Sequence, residues 1–172
     1  ITGGGTGIGR AVALKASSEG ASVVVCGRRP EPLEEVVDLV QNAGGRASAV
    51  SGDVTVEADC KRIADHALEA FGGIDILFNN AGMIIRERPV HTTTLKEWED
   101  TFAVNVTGTF LMSKAVLPGM LARGSGSIIH NASYVGLCGG EAIAAYSAAK
   151  GAVVLLTRSM ARDYASSGIR VN

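Results

Sequence analysis

Thr2-Gly3-Gly4-Gly5-Thr6-Gly7-Ile8-Gly9 is the stretch whose reading decides the fold. Gly3, Gly7 and Gly9 stand at the spacing G-x-x-x-G-x-G, just ahead of a helical pattern over residues 8–18. Glycines let a chain turn tightly without Cβ clashes, and the helix that follows offers free N–H groups and a positive dipole end to an anion. The spacing differs from G-x-G-x-x-G, and no Gly-Lys-Ser/Thr follows as a triphosphate loop would need. Taken alone, the glycines fit a plain tight turn or a pyrophosphate cradle. Their place before a helix and a second strand favours the cradle.

Working outward, residues 21–26, 47–50, 74–78, 127–131 and 169–171 read as strands, several too uniformly apolar for a sheet with one wet face. Between them, residues 8–18, 31–42, 57–71, 95–121 and 146–166 read as helices. Alternation of this kind predicts an α/β fold, a doubly wound parallel sheet with helices on both faces and ligands at the carboxyl ends of the strands. The glycine turn, residues 79–82 and Ser133 all fall at such ends. The chain opens on Ile1-Thr2-Gly3 and stops just inside a strand pattern, so the sheet is expected to be truncated at both ends.

With 172 residues and 47% hydrophobic content, one core and a single domain over 1–172 are expected. The net charge is -1 and the basic residues are scattered, which argues against nucleic acid or a polybasic membrane patch and for small-molecule partners. Cys26, Cys60 and Cys138 have no C-x-x-C spacing, and His66, His91 and His130 form no ligand pair, so neither a disulfide framework nor a metal site is expected. No apolar run reaches the ~20 residues of a membrane span and no signal segment is evident, so the expected location is cytoplasmic. His130, three residues before Ser133, is expected to be structural.

The chemistry is carried by three residues. Tyr146 and Lys150 are four apart in a helical run, so both leave one face of the helix and the cation sits beside the phenol. A neighbouring ammonium favours a phenolate, which is the tuning that general acid/base catalysis needs. Ser133, just after a strand, supplies a hydroxyl to an oxygen whose negative charge grows as hydride arrives. Together they point to hydride transfer at a carbonyl. At the end of the second strand, where a carboxylate would bond the ribose hydroxyls of NAD, the sequence is Cys26-Gly27-Arg28-Arg29. Arg28 and Arg29 offer forked donors suited to a 2′-phosphate, so NADP(H) is preferred, with NAD(H) possible. Two solvated arginines in a loop are the alternative.

These residues together resemble the short-chain dehydrogenase/reductase family, a Rossmann-fold group of NAD(P)-dependent oxidoreductases, whose motifs occur here in family order. Thr2, Gly3, Gly5, Thr6, Gly7, Ile8 and Gly9 match its glycine motif, and Asp53 with Val54 matches its adenine pocket. Asn79, Asn80, Ala81 and Gly82 match its Asn-Asn-Ala-Gly. Asn105, Ser133, Tyr146 and Lys150 match its catalytic tetrad. The resemblance implies an alcohol dehydrogenase or ketone reductase in which Tyr146 is the acid/base, Ser133 meets the carbonyl, Lys150 tunes the tyrosine and holds the nicotinamide ribose, and Asn105 anchors a relay water. A structural role for Asn105 is the alternative. The resemblance also implies a homotetramer, and a final strand and mobile substrate loop beyond residue 172.

A 3-oxoacyl-carrier-protein reductase and a non-catalytic NADP(H)-binding module stay open beside the general carbonyl/alcohol reading; a triphosphatase is disfavoured by its missing lysine motif. The substrate pocket is expected from residues 83–94 and 135–145. Arg86 and Arg88 there are either surface charges or a grip on an anionic substrate.

Overall fold

A computed structural model describes residues 1–172. Its strands are β1 (Ser22–Gly27), β2 (Arg46–Ser51), β3 (Ile76–Asn79), β4 (Gly126–His130) and β5 (Ile169–Val171), and its α-helices are α1 (Gly7–Ser18), α2 (Pro30–Asn42), α3 (Glu57–Phe71), α4 (Leu95–Phe102), α5 (Gly108–Arg123), α6 (Val135–Cys138) and α7 (Ala144–Tyr164). Each expected strand and helix exists within a few residues of its expected place. The exception is the long helix over 95–121, where α4 and α5 are separated by a π-helical turn, Ala103–Thr107. Its apolar pattern continues through the turn, so one extra residue per turn leaves little trace in the sequence.

All strand pairs are parallel, with β1 beside β2 and β4 between β3 and β5. Residues 1 and 2 lie between β1 and β3 and join the two groups of strands into the expected doubly wound parallel arrangement. Cys26 donates its N–H to Ile1 O (3.0 Å), and Thr2 donates its own to Phe78 O (3.0 Å). Alongside, at the amino ends of β1 and β3, lies a largely apolar slot of about 410 Å³ that includes Val24, Ile63, Ile74 and Ile76. Ser133, Tyr146 and Lys150 do not line it.

β1 shows why the sheet is covered twice. Val23 and Val25 pack with Ala13 of α1 and with Leu33 and Val36 of α2. Cys26 joins the larger cluster built from α3, α5, β3 and β4, against which Val24 also packs. Side chains alternate across a strand, so both faces are buried and each large aliphatic removed from water contributes roughly 2 kcal/mol. Pro30 at the first turn of α2 suits a position whose N–H has no intrahelical partner.

His130 closes β4 in the structural role expected of it. It is 7% exposed, with Nε2 3.3 Å from Ser113 Oγ of α5 and Nδ1 2.9 Å from Thr157 Oγ1 of α7. Burial lowers its pKa from 6.5 to about 4. An unfolded chain therefore takes up a proton at this residue at higher pH than the native one does, so native stability rises with pH across that window. Acidification from about pH 6.5 to pH 4 is expected to remove up to about 3 kcal/mol through His130 alone. Urea unfolding at a series of pH values, with His130→Gln as the comparison, measures it. The variant should lose less over this interval, and equal losses would contradict the assignment.

Candidate active site

Helix α7 carries Tyr146 in its first turn and Lys150 one turn later, and α7 packs beside the carboxyl end of β4. Lys150 is 5% exposed; its Nζ donates to Asn131 O at 2.6 Å and lies 5.6 Å from the centre of the Tyr146 ring. Burial disfavours the ammonium and brings its pKa down to about 8. The chain leaves β4 through Asn131 and Ala132 to Ser133, whose carbonyl accepts the Gly136 N–H (3.0 Å) as α6 begins. A Cβ at Gly136 would stand 2.6 Å from the Lys150 carbonyl carbon, so glycine lets α6, and Ser133 with it, lie directly against α7. Tyr146 and Ser133 are both half-buried.

Asn105 joins this group from the π-helical turn. It is fully buried, its amide donating to Met83 O (2.8 Å) and Thr101 O (2.9 Å), while its Oδ1 is buried without a protein partner. Such turns interrupt regular helices chiefly at functional positions. A Cβ at Gly82 would lie 2.9 Å from Asn105 Oδ1 and 3.7 Å from Lys150 Nζ. Glycine at 82 therefore leaves a small space bounded by an unsatisfied acceptor and a buried cation.

The glycine turn opens on a cleft of about 550 Å³. Gly3, Gly5 and Thr6 line it on one side, Arg28, Arg29, Asp53 and Val54 on another, and Ala81 and Gly82 at the end nearest Lys150. Thr6 precedes α1 without a side-chain bond to the helix, so the first N–H groups of α1 are left for an external acceptor. Gly7 has φ 52° and nothing within 4 Å of where its Cβ would be. Asp53 accepts from the N–H (2.9 Å) and hydroxyl (2.8 Å) of Thr55 through one carboxylate oxygen. A dinucleotide suits this donor set: free amides and arginines for phosphates, an apolar wall at Val54, and a buried acceptor at the far end.

Several residues expected to line the cleft stand behind it instead. Thr2 is 1% exposed, and its hydroxyl accepts the N–H groups of Asn80 and Ala81, both at 2.9 Å. The Asn80 amide bonds Thr2 O (3.0 Å) and Gly3 O (3.3 Å). At Gly9 a Cβ would come within 2.2 Å of Gly3 O, so this glycine seats α1 against the turn. Thr2, Gly9 and Asn80 thus brace the turn, whereas Gly7 and Ile8 lie exposed at its edge.

One feature escaped the sequence reading. Asn131 links both ends of the site, since its carbonyl holds Lys150 and its amide donates to Asn80 Oδ1 (3.0 Å). A main-chain acceptor carries no residue signature. Arg88, considered as an anion grip, has its guanidinium on Glu97 (Nε to Oε1, 2.9 Å). Arg86 is exposed.

The family model described as short chain dehydrogenase matches residues 1–172. The chain is 45% identical to 2-(S)-hydroxypropyl-CoM dehydrogenase 3 of Xanthobacter autotrophicus, covering 100% of this chain and 67% of that protein. It is 36% identical to the cyclohexanol dehydrogenase of Acinetobacter sp. strain SE19, covering 100% of this chain and 68% of that one. Among solved structures, an NAD+-bound xylitol dehydrogenase superposes with a TM-score of 0.97 at 37% identity, over 99% of this chain and 66% of that one. A metagenomic short-chain oxidoreductase in complex with NADP gives 0.95 at 35% identity, over 100% and 78%. The chain spans about two thirds of the length of the curated relatives it matches. A match over every residue, on a parallel α/β frame with a glycine turn and a buried lysine beside a tyrosine, places this chain in the short-chain dehydrogenase family.

Proposed function

We propose that the full-length protein transfers hydride between NADP(H) and a small ketone or secondary alcohol, with residues 1–172 acting as one dinucleotide-binding and catalytic unit. The observation that carries this reading is the buried Lys150 ammonium, fixed by Asn131 O beside Tyr146 and close to the unsatisfied Asn105 oxygen. The bound nicotinamide supplies or accepts the hydride. Tyr146 gives a proton to the carbonyl oxygen in reduction and takes it back in oxidation, and Ser133 donates to that oxygen as its charge grows. Lys150 stabilises the phenolate left behind and meets the ribose, and Asn105 holds the outer end of the proton path.

Preference for NADP(H) over NAD(H) rests on Arg28 and Arg29 in the cleft and on the absence of a carboxylate at the end of β1. The presence of Asn105, Ser133, Tyr146 and Lys150 in one chain speaks against a non-catalytic module. Since Arg88 is engaged by Glu97, an uncharged substrate suits the pocket better than the acyl-carrier thioester of the alternative reading. Helices α5 and α7 leave Phe110 (48%) and Leu155 (66%) exposed, which supports pairing between subunits in a homotetramer. Cys26, Cys60 and Cys138 are all free thiols, which supports a reducing, cytoplasmic setting.

Spectroscopic assay of the full-length protein against a ketone panel, with NADPH and NADH compared by kcat/KM, tests the reading. Tyr146→Phe should lower kcat by about 10²- to 10⁴-fold while cofactor binding is kept. Retained turnover, or a preference for NADH, would overturn the proton donor or the cofactor assignment respectively. Lys150→Met probes the cation separately. Because a buried charge opposes folding, this variant should lose turnover without lowering Tm, and a fall in Tm with normal turnover would show that the lysine serves the fold.

A further inference from the structure

Only two residues other than glycine have a left-handed backbone, Glu87 (φ 58°) and Ala142 (φ 54°), and the chain brings them together. Each immediately precedes one member of an isolated parallel bridge, Arg88 with Ile143, and the Arg88 N–H donates to Ala142 O at 2.9 Å. Residues with side chains rarely adopt this conformation, and where they hold it the surroundings impose it, most often at functional sites.

The bridge lies between the elements that carry Tyr146 and Asn105. Ile143 precedes the first residue of α7, its carbonyl accepts the Ser147 N–H (2.9 Å), and Tyr146 lies three residues on. Through its guanidinium, Arg88 reaches Glu97 of α4 (2.9 Å), the helix that runs on into the π-helical turn bearing Asn105. Glu97 is itself fixed by the capping box with Thr94, and the Thr93 hydroxyl bonds Arg88 O (3.2 Å). Between Met83, whose carbonyl holds Asn105, and Arg88, the chain crosses from one catalytic helix to the start of the other. Met83, Ile84 and Ile85 on this crossing are half-buried.

We propose that the Arg88–Ala142 bridge is a clasp that sets the substrate side of the site: Arg88 is a positioning residue, tying the Tyr146 and Asn105 helices through main chain and side chain respectively, and the strained pair fixes the wall against which the ketone lies. The clasp acts on substrate and leaves the cofactor cleft alone, since neither Arg88 nor Ala142 lines that cleft. Its kinetic consequences rest on the oxidoreductase reading above.

The test uses the full-length protein with Ala142→Val, which a left-handed backbone tolerates poorly, and Ala142→Gly, which suits it. Cyclohexanone reduction by NADPH, NADPH binding and hydrogen exchange at the Arg88 amide are measured for each. Ala142→Val should raise the cyclohexanone KM about tenfold or more, leave NADPH binding within about twofold, and unprotect the Arg88 amide. Ala142→Gly should keep wild-type KM and protection. An unprotected Arg88 amide in the wild type, an unchanged KM in Ala142→Val, or equal weakening of ketone and NADPH would each overturn the clasp. If the wild type reduces no ketone, the oxidoreductase reading fails, and the exchange comparison still decides whether the clasp exists.

Discussion

One buried ammonium constrains the rest of this structure. Lys150 is removed from water, and its only protein hydrogen bond is to the main-chain oxygen of Asn131 at 2.6 Å. No carboxylate faces it, so burial is the dominant influence on its charge and brings its pKa down to about 8. A cation so placed opposes folding, and a methionine of similar shape would fill the space at less cost. What the lysine supplies is a positive charge within reach of a phenol, a buried amide oxygen and the mouth of a cleft. The parallel sheet makes this possible by bringing the end of β4 and the first turns of α7 to one edge.

The two ends of the site are mechanically continuous. From Lys150 the hydrogen bonds pass through Asn131 to Asn80, and from Asn80 to the carbonyls of Thr2 and Gly3 that shape the glycine turn. The Thr2 hydroxyl completes the brace by accepting two consecutive amides at the end of β3. Low-polarity surroundings make each such bond costly to leave unmade, so the glycine turn and Lys150 hold a common geometry. Glycine recurs where these parts touch: Gly9 against the turn, Gly136 against α7, Gly82 beside Asn105.

Much of this was legible in the sequence, for physical reasons that can be named. Uniformly apolar strands, helical periodicity and the four-residue interval from Tyr146 to Lys150 are local properties, and local properties survive in a linear chain. The turn glycines were also legible, although Thr2, Gly9 and Asn80 brace the cleft without lining it, a distinction that depends on which side of the backbone each group faces. The π-helical turn at Asn105 was hidden because its neighbours are apolar on every side. Glu87 and Ala142 were hidden for another reason: ordinary residues are driven into a left-handed conformation by contacts between segments distant in sequence, and no composition announces it.

The most direct measurement follows the charge itself. Lysine side-chain NMR with isotope-labelled ε-carbons, recorded against pH on the full-length protein, separates Lys150 from Lys15, Lys61, Lys96 and Lys114, all of which lie at the surface. One resonance should titrate with a midpoint near pH 8 and be missing from Lys150→Met. If instead every lysine titrates at the usual value of about 10.4, the ammonium is solvated and the account of this site fails.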